Sequence, residues 1–212
     1  TQFTAAVLRG KLAQEGLEGV PIHIIELGSS FDIGCFRLNM VSVSHSIPDS
    51  FSLLIETPYG TVFHSGDWNL DQDSPMGQKA EEEAFCAIGE KGVLAYIGDS
   101  TNAEYDGYAG SEADVAKGLI EEFKACRGKI AVTIFASNIA RIISVARAAQ
   151  AVGRSVGLVG RSLHRMVGCA YECGMLDDVP PFLDEFEISQ IPDENLVLIV
   201  TGSQGEHRAA LA

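Results

Sequence analysis

Up to about residue 105, the apolar positions form short runs, several of which alternate with polar residues as β-strands do. The clearest alternation sets Phe51, Leu53 and Ile55 against their neighbours, and the turn sequence Pro58-Tyr59-Gly60 follows before a second β-rich run. This pattern predicts a β-hairpin over residues 51–64. Further strands are predicted at 22–25, 36–44 and 93–97, the last of them buried, and helices over 4–15 and 77–89. In the first helix, Ala5, Leu8 and Leu12 form the expected apolar stripe.

From about residue 110, strand patterns alternate with helical patterns. Ser111-Glu112-Ala113-Asp114 has the sequence of a capping box and opens a predicted helix that ends near Gly128. Strands are predicted at 129–136, 155–159 and 196–200, and further helices at 138–152 and 163–173. This alternation indicates a parallel sheet with helices on its faces. We place a boundary near residues 103–110, so that the expected domains are 1–105 and 106–212.

Composition narrows the function classes. The chain has 212 residues and a formal net charge of −14, which weighs against tight binding of nucleic acid by this stretch alone. Bound metal ions can, however, add positive charge locally.

The 5 cysteines are irregularly spaced, which disfavours a disulfide framework and favours a reducing, cytoplasmic location. No apolar run has membrane-spanning length and no signal peptide opens the chain, so we expect no membrane partner. Because the first residue is Thr1, we expect a fragment or a processed product.

The predicted hairpin brings possible metal ligands together. An antiparallel hairpin juxtaposes its two ends, and His45 and Asp49 precede the first strand while His64 and Asp67 follow the second. Imidazoles and carboxylates are the ligand types of zinc-like ions. The alternative is that these residues form turns and caps, and two side chains are fewer than the three protein ligands that a catalytic zinc needs.

Small polar sequences follow four predicted strands. In open α/β sheets, ligands bind at the carboxyl ends of the strands, where glycine, serine and helix N-termini suit phosphate groups. An arginine there adds a bidentate donor. The pattern therefore favours a phosphate-bearing ligand, with helix caps and turns as the alternative, and Arg141 lies one turn into the following helix. The four sequences are Asp99-Ser100-Thr101, Ser137-Asn138, Gly160-Arg161-Ser162 and Gly202-Ser203-Gln204-Gly205.

Six motifs together resemble the ribonuclease J family in order and spacing. The resemblance covers nearly the whole chain and implies an α/β fold. Part of a metallo-β-lactamase αββα sandwich would be followed by a Rossmann-like β-CASP domain with a parallel sheet. The motifs are His45-Ser46-Ile47-Pro48-Asp49-Ser50, His64-Ser65-Gly66-Asp67, Gly98-Asp99-Ser100-Thr101-Asn102-Ala103-Glu104, Phe135-Ala136-Ser137-Asn138, Gly160-Arg161-Ser162 and Thr201-Gly202-Ser203-Gln204-Gly205-Glu206.

The resemblance also implies an activity and roles for residues. Enzymes of this family use two divalent ions, zinc or manganese, to hold the hydroxide that attacks an RNA phosphodiester, both 5′-to-3′ exonucleolytically and endonucleolytically. The implied substrate is single-stranded RNA with a 5′-monophosphate, and the complete enzyme is expected to form homo-oligomers. His45 would bind one metal, Asp67 would bridge both, and Asp99 would orient a catalytic histidine. His64 would be a support. The residues implied to line the RNA channel and its 5′-phosphate region are Ser137, Asn138, Arg161, Ser162, Ser203 and Gln204.

The sequence also departs from the family pattern. It contains no H-x-H-x-D-H string, and His207, which directly follows Glu206, does not fit the later histidine motifs. We therefore expect the 212 residues to correspond to the middle of a catalytic core, to bind metal poorly and to be inactive alone. The alternatives are a phosphate- or RNA-binding scaffold of the same fold without catalysis, a small hydrolase of thioesters or lactams, and a nucleotide-binding α/β domain.

Overall fold

The computed structural model describes residues 1–76, 79–107, 109–205, 207 and 209–211. In this part of the chain, a five-stranded sheet is followed by a three-stranded parallel sheet with helices around it. The mixed first sheet and the parallel second sheet confirm the predicted α/β class. No helix in the described ranges combines the length and the apolar character needed to cross a membrane.

The first sheet contains the predicted hairpin. Its strands lie in the order β1-β2-β3-β4-β5, with antiparallel neighbours up to β4 and a parallel pairing of β4 with β5. Leu53 pairs with His64 and Thr57 with Gly60, so the two ends of the β3–β4 hairpin do lie together. The strands are β1 (Ser30–Ile33), β2 (Phe36–Ser42), β3 (Phe51–Thr57), β4 (Gly60–His64) and β5 (Ala95–Ile97).

The second sheet has the strand order β6-β8-β7, and both pairings are parallel. This confirms the parallel sheet that the alternating sequence pattern predicted. A short helix, α6, was not predicted, and a single 3-10 turn precedes β8. The elements are α3 (Glu112–Ala125), β6 (Ile130–Thr133), α4 (Ile139–Ala151), β7 (Ser155–Val159), α5 (Arg161–Glu172), α6 (Glu185–Gln190) and β8 (Leu196–Val200).

Helix α4 is mostly buried and contributes many residues to the apolar core. Ile139, Ile142 and Val145 are fully buried, and they belong to one cluster with Val197 and Ile199 of β8. Burying aliphatic side chains of this size contributes about 1.5–3 kcal/mol each. The N-terminal end of α4, which carries two predicted site residues at its cap, is therefore fixed by the packing of the helix behind it.

Helix α1 (Gln2–Gln14) differs from the predicted amphipathic helix in the side that it buries. The structure buries Phe3, Ala5 and Ala6, whereas Leu8 of the predicted stripe is 39% exposed. Phe3 and Ala6 share a core with Leu163 of α5. The N-terminal helix therefore packs against the second half of the chain, a long-range contact that local periodicity does not encode.

Three further predictions differ from the structure. Residues 22–25 form no strand, and no described strand lies beside them to complete a ladder. Strand β5 is exposed rather than buried, with Tyr96 58% and Ile97 53% accessible, because it is an edge strand of the first sheet. The helix predicted over 77–89 begins later, as α2 (Glu82–Lys91), and residues Gly77 and Gln78 lie outside the described ranges.

Candidate functional site

Ser65 connects the end of the hairpin to the loop that carries Asp99. Its N–H donates to the Ile97 carbonyl at 2.9 Å, and its hydroxyl accepts from the Asp99 N–H at 2.9 Å. The Ser52 hydroxyl donates to the Ser65 carbonyl at 2.7 Å. Ser65 is 3% exposed, so these bonds are shielded from water. Ser65 is not among the predicted site residues, although it lies between His64 and the predicted ligand Asp67 in the sequence.

Asp99 is an exposed carboxylate held by the residue two positions later. The Thr101 hydroxyl donates to it at 2.6 Å and the Thr101 N–H at 2.9 Å. These two bonds lower the pKa of Asp99 below its ordinary value, and the nearby charge of His45 lowers it further. The carboxylate is therefore fully ionised near neutral pH, and it lies within electrostatic range of the His45 imidazole.

His45 and Asp67, the two predicted metal ligands, line the same recess, which has a volume of about 210 Å³. The Nδ1 atom of His45 is buried and has no hydrogen-bond partner among the described residues. A buried ring nitrogen without a partner is costly, and metal coordination is one way to satisfy it. The two residues therefore fit part of a divalent-metal site. No group of three or more His, Cys, Asp or Glu side chains within the described ranges could hold a metal ion.

Asp49 and His64, the other two polar side chains at the hairpin mouth, make structural contacts. The Asp49 carboxylate accepts from the Phe3 N–H at 3.1 Å, so it caps the N-terminus of α1. Asp49 has a φ of 58°, a left-handed conformation that Asp tolerates better than most residues. His64 Nδ1 accepts from the Gly66 N–H at 3.0 Å. The His64 ring therefore holds the turn at Gly66, and Asp49 ties the His45 loop to α1.

The predicted phosphate-binding residues follow three adjacent strand ends. Val200, the last residue of β8, is in register with Thr133 of β6 on one side and Val159 of β7 on the other. We call the segments that follow these strands, namely 134–138, 160–162 and 201–205, the strand-end rim; residues 161 and 162 are the first two of α5. Of the predicted phosphate-binding residues, Ser137 and Asn138 are half-buried, and the exposed ones are Arg161, Ser162, Ser203 and Gln204.

Two details refine the roles of residues on the rim. Asn138 accepts from the Arg141 N–H at 2.8 Å, so its side chain caps α4, as the alternative interpretation of this sequence held. Gly160 has a φ of 130°, and a Cβ there would lie 3.0 Å from the Thr201 hydroxyl. A glycine at this position lets the β7 and β8 loops approach each other closely.

The hairpin edge and the strand-end rim meet at a cleft of about 270 Å³, which we call the central cleft. It is lined by His45 from the segment between β2 and β3 and by Asn138 from the rim, together with Asp71 and the N-terminus of α3. The Ala140 N–H of α4 donates to the Ser46 carbonyl at 3.3 Å. The structure therefore places the candidate metal ligand His45 beside the N-terminus of α4 and its phosphate-binding candidates.

Arg141 also lines the central cleft, but its guanidinium is paired. It donates to the Glu112 carboxylate at 2.6 Å from Nε and at 3.1 Å from one terminal nitrogen. The side chains are 31% and 15% exposed, so this bidentate pair is partly shielded. Arg141 is therefore not an ordinary surface arginine. In this arrangement its guanidinium donates to Glu112 rather than to a phosphate group.

Comparison with known proteins identifies the class of the second half. Residues 127–212 match the family model described as "Ribonuclease J, beta-CASP domain". Over its whole described fold, the chain also resembles the crystal structure of a protein of unknown function from Enterococcus faecalis. The TM-score is 0.64 at 14% identity, covering 96% of this chain and 52% of that one, which supports the fold alone.

The sequence similarity extends over nearly the entire chain. It is 44% identical over 211 residues to Ribonuclease J of Sinorhizobium meliloti, covering 99% of this chain and 37% of that protein. It is 37% identical to the Mycolicibacterium smegmatis relative (100% of this chain, 38% of that protein) and 36% identical to the Thermus thermophilus relative (99% and 37%). The chain belongs to the ribonuclease J family. It spans little more than a third of the length of these relatives.

Proposed function

We propose that the protein is a metal-dependent ribonuclease that hydrolyses RNA phosphodiesters by 5′-to-3′ exonucleolytic and by endonucleolytic cleavage. The observation that carries this proposal is that His45 and Asp67 line one recess. In addition, His45 Nδ1 is buried and has no hydrogen-bond partner among the described residues. Support comes from relatives that are named Ribonuclease J. The incomplete ligand set fits a site whose other ligands lie outside the described residues.

Two divalent ions, zinc or manganese, are the proposed cofactors. His45 would help to hold one of them, and the Asp67 carboxylate would be shared by the two, as the family resemblance implies. When bound, such ions polarise the phosphoryl group and activate water for attack at neutral pH. Asp99, whose pKa is lowered by Thr101, stays anionic and orients a histidine proton at the edge of the site.

The strand-end rim is the proposed binding surface for RNA. Several groups of the rim can donate hydrogen bonds to phosphate oxygens: the hydroxyls of Ser137, Ser162 and Ser203, the Gln204 amide and the backbone N–H groups at the start of α5. The Arg161 guanidinium can donate two parallel hydrogen bonds to a phosphate. Asn138 contributes by fixing the first turn of α4. Because the net charge is −14, we propose that RNA is held by these local donors and by metal ions rather than by a basic surface. The preferred substrate is single-stranded RNA with a 5′-monophosphate.

The proposal includes a cytoplasmic location and self-association of the complete enzyme. All five cysteines, Cys35, Cys86, Cys126, Cys169 and Cys173, are free thiols, which suits a reducing compartment. Burial raises the pKa of the Cys169 and Cys173 thiols, so both stay protonated and unreactive near neutral pH.

The test uses the intact gene product and a 5′-monophosphorylated single-stranded RNA. Wild-type protein should contain bound zinc or manganese and cleave the RNA, and His45→Ala and Asp67→Asn should each remove most of the metal and lower the cleavage rate by about 10²-fold or more. His23 is an exposed histidine outside the recess, so His23→Ala serves as the control. This variant should keep both the bound metal and the wild-type cleavage rate. RNA binding without metal or cleavage would instead support a scaffold of the same fold. The 212 residues produced alone should bind metal poorly and leave RNA intact.

A further inference from the structure

A chain of hydrogen bonds around the central cleft leads from α4 to the residue before His45. Arg141 holds the Glu112 carboxylate through two bonds of 2.6 and 3.1 Å. The Glu112 N–H, in the first turn of α3, donates to the Asp71 carboxylate at 2.8 Å. The Asp71 carbonyl in turn accepts from the Ser44 hydroxyl. Arg141 is thereby linked to the peptide that carries His45, although the two residues lie on different halves of the chain.

The peptide groups on both sides of His45 are held by the same surroundings. Before it, the Ser44 carbonyl accepts from the Asn69 N–H at 2.8 Å, and the Asn69 side-chain oxygen accepts from the Asp71 N–H at 3.0 Å. After it, the Ser46 carbonyl accepts from the Ala140 N–H of α4. The backbone on both sides of His45 is therefore held by the 69–71 loop and by the first turn of α4.

We propose that Arg141, acting through Glu112 and Asp71, is a positioning residue for His45. This inference rests on the proposed function, in which His45 binds metal. A bidentate arginine–carboxylate pair fixes distance and angle together, which a single contact does not. The Asp71 carboxylate is also favoured at the positive N-terminal end of α3. Together these bonds lock α3, α4 and the 69–71 loop into one arrangement around His45.

Three substitutions in the intact protein separate this role from general stability. Arg141→Gln removes both the charge and the fork, whereas Arg141→Lys keeps the charge and loses the fork. Arg147→Gln is the matched control. It removes an arginine from the same helix that also pairs with a carboxylate, Asp178, at 2.6 Å, but on the surface, with the Arg147 side chain 41% exposed.

The first readout is hydrogen exchange of the amides that hold the His45 peptide. In Arg141→Gln, the Asn69 and Ala140 N–H groups should exchange about tenfold faster, because local opening requires fewer contacts to break. In Arg147→Gln, their exchange should match the wild type. Equal exchange in Arg141→Gln and wild type, or equal acceleration in both variants, would overturn the inference.

The second readout concerns the metal and the reaction. Loss of an orienting partner costs about 10- to 100-fold in metal affinity or rate, so Arg141→Gln should lower kcat and zinc or manganese affinity by that factor while KM for RNA stays near the wild-type value. The kcat and the metal affinity of Arg141→Lys should lie between those of Arg141→Gln and the wild type. Unchanged metal affinity and kcat in an active enzyme would overturn the positioning role. If the wild type neither binds metal nor cleaves RNA, the proposed function fails, and the exchange result alone decides whether Arg141 positions His45.

Discussion

The hydroxyl of Ser65 accepts a hydrogen bond of 2.9 Å from the backbone N–H of Asp99, 34 positions further along the chain. Ser65 comes two residues before Asp67, so one buried side chain links the backbone segments that carry the two candidate carboxylates of the site. Asp67 and Asp99 are themselves exposed. The geometry of this edge therefore depends on a serine that has no direct part in the proposed chemistry.

We expect Ser65→Ala to destabilise the protein by about 1–3 kcal/mol, because the Asp99 N–H loses its partner next to the buried hairpin end. Urea denaturation measures this change in the free energy of unfolding. Ser162→Ala, at an exposed position on α5, should stay within about 0.5 kcal/mol of the wild type. A Ser65→Ala protein as stable as the Ser162→Ala control would contradict the assigned role of the serine.

Replacing Thr101 with valine should raise the pKa of Asp99 towards its ordinary value of 3.8, because the hydroxyl bond is the main cause of the lowered pKa. Since the folded-state pKa lies below the unfolded one, the bond favours folding at pH values above 3.8, and this contribution disappears as pH falls through the folded-state pKa. Carboxyl ¹³C titration by NMR measures the change. Asp114, whose pKa is lowered by Lys117, should titrate identically in both proteins. A Thr101→Val protein in which the Asp99 pKa does not rise would show that the hydroxyl is not its main cause.

Substitutions at Asp49 should separate its cap from its backbone conformation. Asp49→Asn keeps an acceptor for the Phe3 N–H and tolerates the φ of 58°, so stability should stay within about 0.5 kcal/mol. Asp49→Gly keeps only the backbone conformation, and its free energy of unfolding should fall by about 1 kcal/mol. Asp49→Ala loses the cap and disfavours the backbone conformation, so its free energy of unfolding should fall by about 2 kcal/mol or more. The order of urea midpoints checks this. Loss of bound metal in the stable Asp49→Asn protein would show instead that Asp49 is a ligand.

Two glycines should respond to alanine in opposite directions. At Gly160, the φ of 130° and the approach of Thr201 make a Cβ unfavourable, so Gly160→Ala should destabilise by about 1–3 kcal/mol and weaken RNA binding through the displaced Arg161. At Gly168, inside α5, a Cβ would meet no atom within 4 Å. Gly168→Ala should therefore stabilise the helix by about 0.5–1 kcal/mol. Thermal denaturation of both variants and RNA titration of Gly160→Ala provide the measurements, and a destabilised Gly168→Ala protein would contradict this account.

The features that the sequence predicted well depend on local pattern. The alternation at Phe51, Leu53 and Ile55 and the turn at Pro58–Gly60 are sufficient to specify the β3–β4 hairpin. Strands β7 and β8 were placed at their observed bounds, because each is a short apolar run between turn residues. Parallel pairing then brings Ser137, Arg161 and Ser203 to one edge without further information.

The features that sequence reasoning missed depend on contacts between distant parts of the chain. An apolar run such as 93–97 has the same pattern in a central strand as in an exposed edge strand, and only the neighbouring strands decide between them. The Arg141–Glu112 pair joins residues 29 positions apart on separate helices. Likewise, no local pattern distinguishes Asp49 as a cap from Asp49 as a metal ligand, because the capped N–H belongs to a helix 46 positions earlier.

The strand order β6-β8-β7 has a consequence for the way the protein assembles. The middle strand is the last of the three to leave the ribosome, so β6 and β7 lack the strand that both of them pair with until residues 196–200 arrive. Closing contacts across so many residues is slow compared with forming a local hairpin. The β3–β4 hairpin, with His45 and Asp67 at its mouth, can therefore form early in synthesis, whereas the rim proposed to hold RNA takes shape only when β8 is inserted. A nascent chain stalled before residue 196 would display the two proposed metal ligands without the completed surface that is proposed to hold RNA.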